Sequence, residues 1–375
     1  MKWLFWGASA MLAYTYFGYA GWLWLRRRYR PCRVQSASCK PLLSIVMIVR
    51  NEAAVLDRKL RNLLALNYPP DLCEIIVFSD GSADATNDML REASIEPRVR
   101  VILATKARGK AVGLNQAIAI AHGEVVVFTD ARQMIEPDAL HLLARNFADP
   151  TVGCASGELM LGDPASGETV RGMGLYWRVE KTIREMESAS GSVVGATGAL
   201  YAVRRSLLVP VPQGTILDDV YIPMNVVRQG ARVIFVPSAR AWDVAPQKTG
   251  HEFSRKVRTL SGNYQLMQLA PWLLSGKNPL RFEFISHKLL RLFAPFALAA
   301  ALIASADLAL SRPFYRIALA LQLAFYGLSL IALLKLVKGP LGKVADAANT
   351  FVVLNSAALV AFVKFVTGRR VAWVR

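Results

Sequence analysis

A long uncharged segment at the start of this chain most strongly limits the folds that it can adopt. Trp3–Leu25 contains 23 consecutive residues without a charge, close to the roughly 20 that a helix needs to cross a bilayer. The basic segment Arg26–Arg30 follows it directly. A cleaved leader carries its charge before a shorter apolar core, so this order predicts a retained anchor. We expect residues 1–30 to form an amino-terminal transmembrane anchor with a basic stop, whose carboxyl end lies in the cytoplasm.

Three further uncharged runs stand near the carboxyl end of the chain. They are Leu292–Ala306, Ile317–Leu334 and Ala347–Val363. We expect residues 285–368 to form a membrane region of two spanning helices followed by a third segment that spans or re-enters. The basic segments His287–Arg291 and Lys335–Lys343 would then share the cytoplasmic side with the arginines after the anchor. A third full span would place Arg369 and Arg370 outside against this rule, so the sequence leaves its topology open.

The charge of the chain fits basic segments beside a membrane better than one basic groove. Lys and Arg number 45 against 27 Asp and Glu, a formal charge of +18, yet only 19% of residues are charged. Soluble domains average roughly 25% charged residues, and 54% of this chain is hydrophobic, so intrinsic disorder is excluded. The four cysteines form no CxxC pair and are expected to be free thiols. A nucleic-acid partner is not expected, because many basic residues flank apolar runs instead of alternating with exposed aromatic residues.

Residues 42–272 have the pattern of an α/β domain. Four apolar runs have the length of buried strands, namely Leu42–Val49, Glu74–Ser79, Val99–Ala104 and Glu124–Thr129. Helical patterns cover residues 52–66, 84–94, 109–122 and 137–148. This alternation predicts a doubly wound, parallel sheet, in which functional residues gather at the carboxyl ends of the strands.

Charged residues follow the predicted strands where such a sheet would carry a site. Asp80 begins the turn DGSADAT, a tight glycine turn that suits nucleotide recognition but also fits an ordinary capped turn. Lys110 lies in the basic segment Lys106–Ala111 at a helix start, where cations suit a pyrophosphate or belong to a solvated turn. Asp130 could share a hard divalent cation with phosphate oxygens, or it could pair with Arg132.

A second set of charged residues follows farther along the chain. Asp218 and Asp219 are adjacent acids, and a carboxylate in a partly desolvated site can act as general base for a sugar hydroxyl. They equally fit a helix start, where acids are favourable to the helix dipole. Arg255 and Arg258, on either side of Lys256, share one helical face and could clamp a diphosphate or meet lipid headgroups.

In this order and spacing, the motifs resemble the membrane-embedded processive branch of glycosyltransferase family 2, the family of cellulose, chitin and hyaluronan synthases and related bacterial exopolysaccharide enzymes. The resemblance covers residues 42–272 and extends to the flanking membrane helices. It implies a GT-A-type, doubly wound nucleotide-sugar-binding domain between transmembrane segments. It also implies donor binding by Asn51, Glu52, Asp80, Lys110, Asp130, Arg255 and Arg258, catalysis by Asp219 together with Asp218, and acceptor-side contacts from Thr197 and Gly198.

Three acidic residues have narrower parts within this resemblance. Asp80 looks like the acid that contacts a uracil base, and Asp219 looks like the catalytic base that ends the family's acidic pair. Asp130 looks like the first acid of the DxD metal motif, whose second acid is replaced by Arg132. The resemblance therefore implies Mg²⁺ or Mn²⁺ as cofactor, with Asp130 as its ligand from this motif.

The Q-x-x-R-W motif of the family also differs in this chain. Arg258 stands at its arginine, Arg255 at its glutamine and Thr259 at its tryptophan. Because that tryptophan helps to hold the acceptor sugar in the family, another aromatic residue is required if this contact is kept. Tyr264 and Trp242 are the candidates that the sequence offers.

The resemblance implies an inverting glycosyltransferase that takes a sugar from a nucleotide-diphosphate sugar, UDP-linked, and adds it to a growing glycan in polysaccharide or exopolysaccharide biosynthesis. Two alternatives stay open: single transfer to a lipid or polyprenyl-linked acceptor and, in a different class, a non-catalytic membrane nucleotide sensor or transporter subunit. The expected partners are the donor, a glycan or lipid-linked acceptor, the lipid bilayer and envelope export proteins. The expected location is the bacterial inner membrane, with the catalytic domain in the cytoplasm.

Overall fold

The computed structural model describes residues 1–162, 175–243, 249–334, 336–337 and 339–368, and within them one sheet of eight strands forms the centre of the domain. The strands are β1 Leu43–Val49, β2 Cys73–Asp80, β3 Val99–Ala104, β4 Val125–Thr129, β5 Met134–Ile135, β6 Val152–Leu161, β7 Leu200–Arg204 and β8 Arg232–Asp243. They lie side by side in the order β3-β2-β1-β4-β7-β6-β8-β5.

Helices precede, surround and follow this sheet. The amino-terminal helix consists of α1 Lys2–Ala13, a π-helical turn Tyr14–Gly18 and α2 Tyr19–Tyr29. The domain contains α3 Ala53–Leu64, α4 Thr86–Ala93, α5 Lys110–Ala119, α6 Ala139–Ala144, α7 Leu175–Ser190, α8 Asp218–Arg228 and α9 Thr249–Leu269. Short 3₁₀ turns cover Pro70–Leu72, Arg145–Ala148, Arg205–Leu207 and Pro271–Leu274. The carboxyl-terminal helices are α10 Arg281–Phe284, a π-helical turn Ile285–Leu289, α11 Leu290–Leu308, α12 Pro313–Leu333 and α13 Gly339–Val366.

The first half of the sheet confirms the α/β prediction. β1 to β4 are the four predicted strands, and β1 pairs in parallel with both β2 and β4. In this register Val46 lies between Ile76 and Phe128. These strands are covered by helices on both faces, which is why they read as continuous apolar runs.

The second half of the sheet is mixed, whereas the sequence predicted parallel strands throughout. β7 runs antiparallel to β4 and β6, β6 runs parallel to β8, and β5 runs antiparallel to β8. β6 is irregular beside Gly153 and Gly157, and a Cβ at Gly157 would lie 2.5 Å from the Ala239 carbonyl oxygen. Small and polar residues at such bulges break the apolar run by which a buried strand is identified.

The two faces of the sheet carry separate cores. Val46, Ile76 and Phe128 face one core, while their neighbours in sequence face the other. The second core is closed by α3 and α6. The first is closed by α5, α8 and α9, and it continues without a break to Leu292 of α11 and Ala357 of α13. The domain and the carboxyl-terminal helices therefore share one hydrophobic core.

Within the described part of the chain, three helices are long and apolar enough to cross a membrane. They are Arg281–Leu308, which joins α10, the π-helical turn and α11, then Pro313–Leu333 and Gly339–Val366. The amino-terminal helix is not among them, so its span stays a prediction. It packs along the same bundle, since Phe5 contacts Ala304 and Tyr315, and Ala8 contacts Ala297 and Ala301. The four cysteines are free, as predicted.

A buried carboxylate, Glu187 of α7, joins the helical bundle to the domain. Glu187 Oε1 accepts a hydrogen bond from the Tyr19 hydroxyl at 2.6 Å and lies 2.8 Å from His287 Nδ1. Its Oε2 accepts from the Val194 backbone N–H at 3.4 Å. About two turns earlier on the same face of α7, Glu180 contacts His287 Nε2 at 3.0 Å and accepts a hydrogen bond from Arg291 at 2.7 Å. Through these contacts α7 fastens the amino-terminal helix and the first carboxyl-terminal helix to the loop that follows it.

Candidate active site

The site begins where β1 and β2 end, at a cluster of hydrogen bonds around Asn51. Asn51 adopts a positive φ of 47°, and its Oδ1 accepts from the Ala83 backbone N–H at 2.7 Å. Its own N–H donates to Ser82 Oγ at 3.0 Å. The Glu52 N–H donates to Thr86 Oγ1 at 2.9 Å. These bonds hold the two loops together and place Asn51 and Glu52 at the carboxyl edge of the sheet, as the sequence predicted.

Asp80 fixes the basic loop that precedes α5. Its side chain is fully buried, with one oxygen accepting from the Arg108 N–H at 2.7 Å and the other from the Gly109 N–H at 2.9 Å. Gly81 lies directly beneath this loop, because a Cβ there would stand 2.4 Å from the Ala107 nitrogen. Both carboxylate oxygens thus position the loop, and a contact from Asp80 to a base stays a prediction.

Lys110 brings together the acids that end β4 and begin α8. Its Nζ lies 3.1 Å from Asp130 Oδ1 and 3.2 Å from Asp218 Oδ2. Burial alone would lower the pKa of Lys110, but the carboxylates of Asp130, Asp218 and Asp219 together raise it above its usual value. The ammonium therefore stays charged between Asp130 and the adjacent acids Asp218 and Asp219, which are far from Asp130 in the sequence.

Asp219 is enclosed by the loop between α7 and β7. Its backbone carbonyl accepts from the Ala196 N–H at 2.7 Å. A Cβ at Gly198 would stand only 3.1 Å from Asp219 Oδ2, so the loop backbone lies against the carboxylate itself. Burial and then the Asp218 carboxylate raise the pKa of Asp219 to about 6, against the lowering effect of Lys110. A carboxylate with this pKa is both ionised at neutral pH and basic enough to accept a proton.

The cations of α9 divide into one that faces the acids and one that does not. Arg258 is half-buried, and burial lowers its pKa while Asp218, Asp130 and Asp219 act in the opposite direction. Its guanidinium therefore belongs to the same electrostatic cluster. Arg255 has an exposed side chain, and the structure does not bring it into contact with these acids.

Three residues that sequence reasoning missed complete the surroundings of this cluster. The Tyr201 ring stacks on Phe128 at 4.7 Å, and its buried hydroxyl has no hydrogen-bond partner among the described residues. Burial and then the nearby Asp218 and Asp219 raise the pKa of Tyr201. No local sequence pattern predicts that Tyr201 lies near these acids, because its position depends on how β7 pairs with β4.

Lys59 is the second missed residue, and it supports the loop after β4. The fully buried Nζ donates to Thr129 Oγ1 at 2.9 Å and to the Gln133 carbonyl at 2.6 Å. Burial lowers the pKa of Lys59 to about 7, against the opposing effect of Asp130. A signal was present in the sequence, since Lys59 occupies an apolar-face position of α3 together with Leu56, Leu60 and Leu63.

Arg184 of α7, the third missed residue, holds the loop on the acceptor side. It donates to Thr197 Oγ1 at 2.6 Å and to Ser156 Oγ at 3.0 Å. The Thr197 backbone N–H donates to the same Ser156 oxygen at 2.9 Å. The predicted residues Thr197 and Gly198 are therefore placed beside Asp219 by a half-buried cation from another element.

The two aromatic residues suggested as a platform for a sugar are buried elsewhere. Trp242 lies in β8 and donates its indole N–H to Glu136 at 2.8 Å. Tyr264 of α9 stacks on Phe365 of α13 at 5.1 Å. Both interpretations were wrong, because these side chains fill gaps between elements that the sequence alone does not bring together.

Asp130 is the residue of this site that could hold a divalent cation. Its side chain is 43% exposed, so the carboxylate is open on one side. No group of three His, Cys, Asp or Glu side chains that could hold a metal occurs among the described residues. Mg²⁺ is commonly held by one or two carboxylates together with substrate phosphates, and Asp130 fits that arrangement. Arg132, at the position of the second acid, is exposed.

The fold and the site together define a GT-A-type glycosyltransferase domain beside a bundle of apolar helices. Residues 44–209 match the model of the family described as Glycosyl transferase family 2. The chain thus contains a glycosyl transferase family 2 domain, which confirms the resemblance seen in the sequence.

Among curated proteins, the poly-beta-1,6-N-acetyl-D-glucosamine synthase of Staphylococcus aureus (strain COL) is 25% identical over 233 residues, 60% of this chain and 55% of the relative. The probable glycosyltransferase YdaM of Bacillus subtilis (strain 168) is 25% identical over 236 residues, with the same coverage of both chains. The chain thus spans about half the length of the curated relatives it matches.

One solved structure is similar over nearly the whole length of both chains. It is the mannosyltransferase PcManGT from Pyrobaculum calidifontis, in complex with GDP-Man and Mn²⁺. The identity is 26%, the TM-score is 0.75, and the match covers 98% of this chain and 100% of that one. The likeness therefore includes the apolar helices as well as the domain.

Proposed function

We propose that this protein is an inverting glycosyltransferase that transfers a sugar from a nucleotide-diphosphate sugar to a growing glycan in exopolysaccharide biosynthesis. One observation carries the proposal: the half-buried acid Asp219, with a pKa of about 6, stands beside the cations Lys110 and Arg258 at the carboxyl edge of the sheet. The similarity to poly-beta-1,6-N-acetyl-D-glucosamine synthases supports the choice of product. The UDP-linked donor is proposed from the resemblance seen in the sequence alone.

In the proposed reaction, Asp219 accepts the proton of the acceptor hydroxyl as that oxygen attacks the anomeric carbon of the donor. The bond from the anomeric carbon to the diphosphate breaks on the opposite face, so the configuration at this carbon inverts. Asp218 keeps Lys110 in place and, by its negative charge, raises the pKa of Asp219. The proton transfer contributes typically ~10²–10⁴-fold to the rate.

The leaving diphosphate carries negative charge that Lys110 and Arg258 stabilise, and such preorganised charges are often the largest contribution to catalysis. Asp130 would hold Mg²⁺ or Mn²⁺, which supplies further positive charge to the diphosphate oxygens when bound. The Mn²⁺ in the mannosyltransferase complex supports this cofactor. Asn51, Glu52 and Asp80 border the pocket in which the nucleoside would lie.

The apolar helices support a membrane location. A bilayer would cover the exposed apolar surface of Pro313–Leu333, in which Tyr315 and Ser329 are the buried residues. We place the amino-terminal helix as an additional span and the domain on the cytoplasmic side of a bacterial inner membrane, because Arg26–Arg30 and His287–Arg291 then lie inside. The glycan would leave through export partners in the envelope.

A donor screen tests the proposal on purified protein in lipid nanodiscs. UDP-N-acetylglucosamine, UDP-glucose and GDP-mannose are supplied with Mn²⁺ and a β-1,6-linked N-acetylglucosamine tetramer, and nucleotide release is measured. We expect release with one donor, and we expect Asp219→Asn to abolish turnover while nucleotide binding persists. Asp57→Asn, an exposed acid paired with Arg61, is the matched control. A fully active Asp219→Asn protein would overturn the assignment.

A second candidate function is single transfer to a lipid-linked acceptor. The likeness to a mannosyltransferase over nearly the full length of both chains makes GDP-mannose a donor to test for this candidate, whereas the curated synthases match over only 55% of their length. Product sizing separates the two, since elongation gives a ladder or polymer and single transfer gives one added sugar. GDP-mannose as the accepted donor, with one added sugar, would establish the second candidate in place of the first.

A further inference from the structure

A cavity of about 560 Å³ lies between α6 and the linker that joins the amino-terminal helix to β1. The linker contributes Ser36–Lys40 to its wall. The segment formed by α6 and the turn after it contributes His141, Leu142 and Arg145. None of the residues assigned above to the donor, the acceptor or catalysis is part of this described lining. The proposed reaction therefore gives the cavity no role.

The cavity lies at the edge of the sheet opposite to the proposed active site. The linker leads into β1, and the 3₁₀ turn after α6 leads into β6. β1, β4 and β6 run in the same direction, because β1 is parallel to β4 and both β4 and β6 are antiparallel to β7. Asp130 follows the end of β4, whereas the cavity adjoins the beginnings of β1 and β6. The seven residues of β1 separate the two edges by about 20 Å, so a molecule in this cavity is neither the sugar donor nor the acceptor.

Hydrogen bonds to the domain hold the linker in place along this wall. The Gln35 N–H donates to Asp149 Oδ2 at 3.1 Å, and the Ala37 N–H donates to the Arg145 carbonyl at 3.2 Å. The Cys39 thiol donates to a backbone carbonyl of α6 at 3.1 Å. The linker residues between these anchored positions have backbone N–H groups without a partner among the described residues, namely Ser36, Ser38 and Lys40. The linker therefore offers unused hydrogen-bond donors beside the cavity.

The charge of the cavity wall is positive. Lys40 and Arg145 have exposed side chains, and neither has an ion-pair partner in the part of the chain that the structure describes. No acidic side chain belongs to the described lining. The nearby Asp149 is buried, and its carboxylate accepts hydrogen bonds from the Gln35 and Thr151 backbone. Two cations without a counter-charge therefore favour an anion in the cavity.

The remaining lining limits the chemical class of this anion. Ser36 and Ser38 add hydroxyl groups, and hydroxyl, ammonium and guanidinium donors together suit the oxygens of a phosphate. Leu142 adds apolar surface, and the His141 ring lies against Tyr68 with the ring centres 5.0 Å apart. The volume falls within the roughly 300–1,000 Å³ of sites for small organic ligands. The lining thus suits a phosphate group that carries an organic part.

We propose that this cavity binds a phosphate-bearing organic anion, whose phosphate lies between Lys40 and Arg145. Two sources share this chemistry, a soluble phosphate ester and the headgroup of a phospholipid. The headgroup is within reach of the linker, because the six residues from Arg30 to Ser36 span at most about 20 Å. The inference does not rest on the proposed function, since it uses none of the donor, acceptor or catalytic residues.

Alkylation of Cys39 by iodoacetamide, followed by mass spectrometry, tests the proposal because this thiol lines the cavity. Cys32 is the internal control, since it is also a half-buried free thiol but lies outside the described lining. The probe is sn-glycerol 3-phosphate, with the protein in phosphatidylcholine nanodiscs. At a probe concentration about ten times its Kd, the cavity is empty for roughly one-eleventh of the time. We therefore expect alkylation of Cys39 to slow about tenfold, while the rate at Cys32 stays unchanged.

The double variant Lys40→Gln, Arg145→Gln should lose this protection, with the rates compared within each variant with and without the probe. Both side chains are exposed, so we expect the variant to melt as the wild type does. Arg58→Gln, which removes an exposed cation from α3, is the matched control and should keep the protection. Full protection of Cys39 in the double variant, or equal protection of Cys32 in the wild type, overturns the proposal.

A second arm of the experiment identifies the source of the phosphate. Phosphatidylglycerol replaces part of the phosphatidylcholine, and the soluble probe is left out. Protection of Cys39 by glycerol 3-phosphate supports a soluble ester, and protection by phosphatidylglycerol supports a lipid headgroup. Absence of protection in both arms overturns the proposal, whether or not the protein turns over a sugar donor.

Discussion

Substitution of Gly198 by alanine perturbs Asp219, the proposed general base, from the backbone side without removing a charge. The added methyl carbon would stand 3.1 Å from Asp219 Oδ2, so one of the two groups must move by a few tenths of an ångström. A misplacement of about 1 Å in an active site can cost roughly 10²-fold in rate, so ~0.3 Å corresponds to roughly fourfold. We therefore expect kcat to fall by about fourfold, with little change in the donor KM.

The assay is initial-rate release of nucleotide at saturating donor and acceptor, with the melting temperature of each variant measured in parallel. Gly276→Ala is the matched control, because an added Cβ there meets nothing within 4 Å. The reasoning is refuted if Gly198→Ala folds and turns over as fast as Gly276→Ala. It is equally refuted if the loss lies in donor affinity with kcat intact, since the loop would then serve the donor and not Asp219.

Three further predictions concern the charged groups of the site. Because the pKa of Asp219 is raised to about 6, kcat/KM should fall about tenfold per pH unit below pH 6. The folded state binds the proton of the Asp219 carboxyl more tightly than the unfolded state, so the contribution of Asp219 to stability falls as pH rises from about 4 to 6. We therefore expect the melting temperature of Asp219→Asn at pH 7.5 to be no lower than that of the wild type. A lower melting temperature would contradict this reasoning. Lys59→Met should lower both the melting temperature and kcat, because Thr129 Oγ1 and the Gln133 carbonyl lose their buried hydrogen-bond donor. A thermal melt and a rate measurement check this prediction. An unchanged kcat would show that the loop after β4 keeps its position without Lys59. Chelation of divalent cations should lower the rate of nucleotide release about tenfold or more. Added Mn²⁺ should restore this rate in the wild type but only poorly in Asp130→Asn. Equal restoration in both proteins would place the cation elsewhere.

The strands that could be predicted are those that consist mostly of apolar residues. β1 to β4 are apolar on both faces, so each stands out from the polar helices between them. β6 and β8 pair through bulges, and β5 has two residues, so no continuous pattern separates them from loops. The mixed direction of the second half depends on which strand β7 meets, and that is decided by packing in three dimensions.

The candidate site divides in the same way. Lys110 and Asp130 could be brought together in advance, because they follow parallel strands whose carboxyl ends share one edge of the sheet. Asp218 follows no parallel strand, so only the family resemblance pointed to its place. The placement of Arg184 could not, since it comes from α7, which is positioned by its packing against the helical bundle. The hydrogen bonds that Asp80 accepts from the Arg108 and Gly109 backbone could not be predicted either, because residue types alone do not determine the conformation of a loop.

The position of Glu187 has a consequence for how this enzyme can be divided. Residues 44–209 are the stretch that family similarity defines, but the partners Tyr19 and His287 both lie outside it. A soluble fragment cut at those limits would retain a buried carboxylate without either of its side-chain donors, next to the loop that encloses Asp219. It would also expose the core surface that Leu292 and Ala357 now cover. The part of the chain that packs as one unit is therefore larger than residues 44–209, and the apolar helices extend the core next to Asp219, the proposed general base.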